Sequence, residues 1–340
     1  MNCCPECFGD RGLRRSIFPY LSTRVGRCSY CGTGGIDVVR PRKLAEYFNL
    51  LVNSYRRDPR GKLLVHWFRR DWALFRHQRM DDSRAKELIA EILDDGEIVR
   101  QRFAPSSDPS INRLGEWEKL RDELMYHNRY FPEATIDLER LRYLLSSLTL
   151  DPDEIPNEWY RARIQTSDAL FSAVEMGAPP NRIASHGRAN PAGIPYLYLG
   201  SSPATAISEI RPHTGERACV ARFRTRRRLK LIDLQNPRAM VSPFLLEAAD
   251  IGRMRNDLPF LERLGEELTR PVLPQAAAID YTPSQYLCEF IKNCGYNGVI
   301  YRSSVSNGVN LALFDPSLAR CGRVDQYSVS RVSVEIVAGA

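Results

Sequence analysis

From Pro41 to about Leu150 the apolar positions recur at the three-to-four-residue spacing of helices packed on a core. Leu44, Phe48, Leu51, Val52 and Tyr55 follow a Pro41-Arg42 start, and Asp82 or Ser83 is placed to cap a helix carrying Leu88, Ile89, Ile92 and Leu93. Trp117, Leu120 and Leu124 mark a third helix. Ile136, Leu138, Leu141, Leu144, Leu145 and Leu148 mark a last one, ending near Asp151-Pro152. The Ser- and Pro-rich residues 103–112 read as a loop. Beyond Asp153 the pattern becomes one of short strands, predicted over 158–164, 196–199, 219–223, 229–234, 298–301, 309–314 and 327–337. A helix capped by Ser202 with Pro203 behind it, and helices over 243–254, 259–269 and 284–294, complete an α+β pattern.

At 340 residues the chain has room for two domains and a small module, and it shows neither an internal repeat nor a low-complexity tract. No apolar run approaches the roughly 20 residues that a membrane-spanning helix needs. The opening Met1-Asn2-Cys3-Cys4-Pro5 lacks the apolar stretch of a secretory signal, so the expectation is a cytoplasmic protein with reduced thiols. A net charge of +7 favours anionic partners: nucleic acid, phosphate-bearing metabolites or an acidic protein.

Five of the nine cysteines lie in the first 31 residues. Cys4-Pro5-Glu6-Cys7 and Cys28-Ser29-Tyr30-Cys31 are two C-x2-C turns of the kind that supplies four thiolates to tetrahedral zinc, with Gly32, Gly34 and Gly35 allowing tight backbone turns after them. Cys3 is an alternative to Cys4. Four cysteines close such a site, so its expected role is structural. Cys219, Cys288, Cys294 and Cys321 have no ligand spacing and read as small core residues.

In the second half, Arg161 interrupts a strand-like segment, Gly187-Arg188 sits in a loop, Tyr198 ends a strand, and Glu209 lies on the following helix. Ser303 and Ser304 follow a further strand. Arginines grip pyrophosphate bidentately, and an aromatic ring stacks on a flat cationic one. A carboxylate stabilises an oxocarbenium-like transition state at a glycosidic carbon. Taken singly, each residue also fits an ordinary surface or core position. There is no G-x-G-x-x-G fingerprint and no P-loop.

Trp159-Tyr160-Arg161, Gly187-Arg188-Ala189-Asn190, residues 193–199, Ser208-Glu209, residues 295–304 and residues 310–316 together resemble the RES domain in motif order. The resemblance covers roughly residues 157–325. It implies a fold similar to ADP-ribosyltransferases and a toxin that cleaves the nicotinamide–ribose bond of NAD, lowering cellular NAD, or that transfers ADP-ribose. Mapped on this chain, it makes Arg161, Glu209 and Ser303 the catalytic set. Arg188, Tyr198 and Ser304 become further NAD-contacting positions, with Ser306 crowding the same turn. It also implies an inhibitory antitoxin or other regulatory partner. The expected organisation is a zinc ribbon (1–40), an all-α domain like the HEPN extensions of some relatives (41–150), the RES domain (157–325) and a terminal strand and tail (326–340).

Two other features point elsewhere. Arg70-Asp71 with His77 fits the loose pattern of HEPN ribonucleases, beside the simpler reading of a helix with Trp67, Trp72 and Leu74 inside and its charges outside. The run Arg222, Arg224, Arg226, Arg227, Arg228 and Lys230 reads as a solvated hairpin or a nucleic-acid contact. His66 and His127 have no visible partner in the pattern.

Overall fold

The computed structural model describes residues 1–106, 112–226 and 228–333. Its contacts divide the chain into two compact units, residues 1–114 with 236–262 and residues 115–235 with 263–340.

The first unit opens with the helical turns α1 (Pro5–Phe8) and α2 (Phe18–Leu21) and the antiparallel pair β1 (Val25–Gly26) and β2 (Ile36–Asp37). Helices α3 (Ala45–Asn53), α4 (Leu64–Trp72) and α5 (Asp82–Leu93) follow. Asp81 caps α5 by accepting from the Arg84 amide, one residue ahead of the predicted cap. The core is aromatic: the Phe8 ring lies 5.4–6.0 Å from those of Phe18, Phe48 and Phe75, and Phe244 stacks 4.8 Å from Phe48. Residues 236–262 bring in α9 (Pro237–Met240) and the first part of α10 (Ala248–Thr269).

The all-α expectation for residues 41–150 needs correction. Strand β3 (Tyr55–Leu63) pairs antiparallel with β4 (Arg102–Pro105), so part of the predicted 103–112 loop is a strand; residues 107–111 lie outside the described residues. The stretch Arg56-Arg57-Asp58-Pro59-Arg60-Gly61-Lys62 has no apolar alternation, and its partner is some forty residues away, so no local pattern marks it. The Trp67 indole on α4 donates to the Phe103 carbonyl at 2.7 Å and ties the pair to the helix.

The second unit carries α6 (Arg113–Tyr126), α7 (Leu138–Ser146) and a seven-stranded sheet in the order β11-β7-β5-β6-β10-β9-β8. Its strands are β5 (Glu158–Ile164), β6 (Leu197–Gly200), β7 (Arg217–Thr225), β8 (Leu231–Asp233), β9 (Gly298–Arg302), β10 (Val309–Leu313) and β11 (Ala319–Ser328). All neighbours are antiparallel except β8 and β9. Helix α8 (Pro203–Glu209) follows β6, and α11 (Ala277–Asp280) and α12 (Thr282–Asn293) precede β9.

Two segments differ from expectation by more than a few residues. The last strand is β11, Ala319–Ser328, which shares only Tyr327 and Ser328 with the predicted 327–337; residues 329–333 are not strand and 334–337 are outside the described residues. The two helices predicted around Pro259 are one, α10. Proline removes a single helical hydrogen bond there, while Leu258, Leu261, Leu264 and Leu268 are fully buried on a stripe that runs through it. No described helix is long and apolar enough to cross a membrane.

Candidate functional site

Strand β5 pairs with β7 at seven positions but with β6 at only one, Tyr160 opposite Gly200. Beside this sparse seam lies a cavity of about 370 Å³ whose lining includes Arg161, Arg188, Tyr198, Glu209, Tyr281 and Asn310. Its size is that of a small-molecule site.

Glu209 reaches the cavity as the last residue of α8. Ser202 caps this helix by accepting from the Thr205 amide, with Pro203 in the first turn, as the sequence predicts. Close seating of α8 depends on Gly200, where an added Cβ would stand 2.9 Å from the Ala206 backbone nitrogen. Glu209 Oε1 accepts two hydrogen bonds, from Ser303 Oγ at 2.6 Å and Asn310 Nδ2 at 2.7 Å. The Ser303 oxygen accepts the Val305 amide at 3.2 Å, which directs its proton at the carboxylate. Oε2 has no protein partner among the described residues, and the side chain is exposed.

Arg161 projects from β5 and donates through Nη1 to the Tyr198 carbonyl at 3.1 Å, while its buried Nε has no partner among the described residues. Burial, with the nearby Arg163 cation, lowers its pKa to about 10, which leaves it charged at neutral pH. Arg188 comes from the loop before β6. It donates to the Arg270 carbonyl at 2.7 Å and to Ser304 Oγ at 3.2 Å, and lies 5.3 Å over the Tyr281 ring. The loop itself is pinned from α12, by Ser284 Oγ to the Arg188 carbonyl and Gln285 to the Gly187 carbonyl. The Tyr198 hydroxyl accepts the Ala189 amide and donates to Asn190 Oδ1 at 2.6 Å; burial pushes its pKa up, so it stays protonated.

The structure thus brings Arg161, Arg188, Tyr198 and Glu209 to one cavity, with Ser303 behind Glu209 and Ser304 behind Arg188. Ser306 instead accepts the Gly308 amide within the turn. Sequence reasoning missed Asn310, Tyr281 and His186. Asn310 leaves a trace, a polar residue among Val309, Leu311, Ala312 and Leu313. Tyr281 and His186 leave none.

In the first unit the sulfurs of Cys4, Cys7, Cys28 and Cys31 all lie within 4.8 Å of one another and are buried. A tetrahedron of thiolates at about 2.3 Å from a metal has edges of about 3.8 Å, so the donor set fits a zinc-like ion. Gly32, at φ +80°, turns the chain after Cys31. Cys3 is not part of this group: its Sγ is directed at the Val39 carbonyl.

Arg70 and His77 are not held on one helical face. Arg70 stacks 4.3 Å over Trp67 and pairs with the buried Asp71 carboxylate; α4 then ends, and His77 Nδ1 accepts the Arg79 amide in the following turn. In the arginine run, Arg222 and Arg224 on β7 both approach Glu158 of β5, at 3.5 and 3.4 Å, and Arg227 lies outside the described residues.

The family model described as RES domain matches residues 158–331, just over half of the chain. Among solved structures, a chain of the M. tuberculosis MbcT-MbcA toxin-antitoxin complex is similar at 17% identity and a TM-score of 0.35, over 57% of this chain and 96% of that one. No curated protein matches.

Proposed function

This chain belongs to the RES domain family, and on that premise we propose that its second unit cleaves the nicotinamide–ribose bond of NAD, acting as a toxin by lowering cellular NAD. The observation that carries the reading is the environment of Glu209. One carboxylate oxygen is fixed by Ser303 and Asn310, and the other has no protein partner among the described residues, in a cavity that also holds two arginines.

In this reading Arg161 and Arg188 take the pyrophosphate, and Tyr198 presents its ring to the nicotinamide while its hydroxyl stays bound to Asn190. The glycosidic bond breaks with its electron pair passing to the ring nitrogen, which neutralises the pyridinium. The ribose carbon is left as an oxocarbenium, and Glu209 stabilises that charge from a preorganised position. Water adds at the carbon and loses a proton, giving ADP-ribose, nicotinamide and H⁺. Phosphate or a macromolecular nucleophile would enter at the same point. In this reading the adenylate half extends from the cavity through its mouth, and His186 and Tyr281 are further lining residues available to the ligand. An inhibitory partner would act by covering that mouth. In the first unit we assign the four-cysteine group a structural zinc ion, which when bound would cross-link the two C-x2-C turns.

Purified protein is incubated with NAD, with and without phosphate, and products are separated by chromatography. Free nicotinamide is expected, and its loss in Glu209→Gln. Intact NAD under both conditions overturns the proposal. Labelled NAD in a cell lysate decides between small-molecule products and a modified macromolecule.

A further inference from the structure

The β3–β4 ribbon has a register jump: Arg57 and Lys62 both lie opposite Phe103, so residues 58–61 bulge out as a loop. The loop is built rather than slack. Asp58 Oδ1 accepts the Arg60 amide at 2.9 Å, and a Cβ at Gly61 would stand 2.0 Å from the Phe103 carbonyl oxygen. Arg102 donates to the Gly61 carbonyl at 3.0 Å, and Lys62 sits 5.9 Å over the Trp67 ring.

Arg56, Arg57, Arg60, Lys62 and Arg102 are all exposed, and among the described residues none has a carboxylate within ion-pair distance. Asp58 is the ribbon's one acid and is engaged in the turn. The charge of the whole chain is distributed accordingly. The first unit has 24 Lys and Arg against 18 Asp and Glu, the second 24 against 23, so +6 of the formal +7 lies on the unit that carries the ribbon. A tetrathiolate zinc centre would subtract two charges and leave the exposed excess in place.

We infer that the bulged β3–β4 ribbon is a docking surface for the phosphate backbone of a nucleic acid. Tyr55 and Phe103 turn one face of the ribbon inward, so Arg56 lies on the opposite, open face, exposed Arg57 and Lys62 lie at the rim beside Phe103, and Arg60 adds a cation on the protruding loop. Cations spaced along one open face, its rim and a protruding loop match a row of phosphates rather than a single anion. An anionic membrane surface would ask for apolar side chains beside the charges. The ribbon exposes no large apolar residue.

The test is fluorescence anisotropy of the full-length protein with labelled duplexes of about 20 base pairs, one DNA and one RNA, titrated from about 50 to 200 mM KCl. Five phosphate contacts predict a log–log salt slope of about −4 to −5 and a fall in affinity of several hundred-fold over that range. The variant Arg56→Glu/Arg57→Glu/Arg60→Glu is expected to bind at least ~10-fold more weakly and to lose about 3 from the slope. Arg56→Lys/Arg57→Lys/Arg60→Lys is expected to stay within about 3-fold of wild type, because exposed contacts to a nucleic-acid backbone act through counterion release, which lysine supplies as arginine does, unlike a buried bidentate site. Arg222→Glu/Arg224→Glu, whose arginines already face Glu158, serves as the control. Thermal unfolding shows whether each variant is folded, and the wild-type slope and the lysine variant decide if the reversal variant is not. Absence of binding to either duplex at low salt overturns the proposal. So does wild-type affinity in the reversal variant, equal loss in the control, or equal binding to a polyglutamate peptide or phosphatidylserine vesicles.

Discussion

Ser303 donates its hydroxyl to Glu209 Oε1 at 2.6 Å across 94 positions of chain, from the turn after β9 to the last residue of α8. Asn310 Nδ2 shares the same oxygen. The bond joins two residues that no local pattern connects, and it leaves Glu209 one restrained oxygen and one available to a ligand.

Removing one of two donors should loosen the carboxylate without freeing it. Ser303→Ala is expected to lower kcat for NAD cleavage by about 10-fold, near 1.4 kcal/mol, with KM little changed. Because both donors share an acceptor, Ser303→Ala/Asn310→Ala should depart from additivity. A Ser303→Ala enzyme with unaltered kcat would show that this bond does not position the reacting group.

Arg161→Lys and Arg188→Lys keep the charge but lose the planar fork. The KM for NAD is expected to rise by about 10-fold or more for each. Nicotinamide riboside lacks the pyrophosphate, so its cleavage should be affected far less. Equal losses on both substrates would mean that the arginines do not contact phosphate.

Substituting Gly200→Ala places a methyl group against the α8 backbone. We expect a loss of stability of about 1–3 kcal/mol and a disproportionate loss of activity, as Glu209 is carried away from its two donors. Thermal unfolding and kinetics measured on the same preparation separate the two effects. Retention of both would mean that α8 need not sit so close.

Asp10 is buried in the first unit, where its Oδ1 accepts from the Leu13 amide and the Ser242 hydroxyl, and burial pushes its pKa up to about 6. A carboxylate with a raised folded pKa binds its proton more tightly when folded. This group's penalty is therefore full above about pH 6 and is relieved as pH falls towards the ordinary carboxylate range. Asp10→Asn keeps the accepting oxygen and is expected to raise the free energy of unfolding at pH 7.5 by an amount on the order of 2 kcal/mol, and by less at pH 5. A variant less stable than wild type at pH 7.5 contradicts this assignment of the charged form as the costly one.

Metal analysis should find one zinc per chain. Cys4→Ser and Cys28→Ser are expected to lose it and to unfold at lower temperature, while Cys3→Ala keeps it. Equal metal loss in Cys3→Ala would place Cys3 among the ligands.

The cysteine spacing and the Ser202-Pro203 helix start were readable because each depends on residues a few positions apart. The β3–β4 ribbon and the continuity of α10 through Pro259 were not. The first rests on pairing across some forty residues. The second rests on a leucine stripe whose burial outweighs one missing hydrogen bond.

By itself the sequence determined which chemistry the chain carries: four thiols in two tight turns, and a spaced series of Arg, Tyr, Glu and Ser within an α+β pattern. Only the tertiary structure decided that Asn310 and Ser303 share one oxygen of Glu209, that Ser304 serves Arg188, and that Arg70 and His77 part at the end of α4. Residue type and short spacing are local and survive in one dimension. Hydrogen bonds over roughly a hundred residues exist only once strands and helices have fixed which side chains meet.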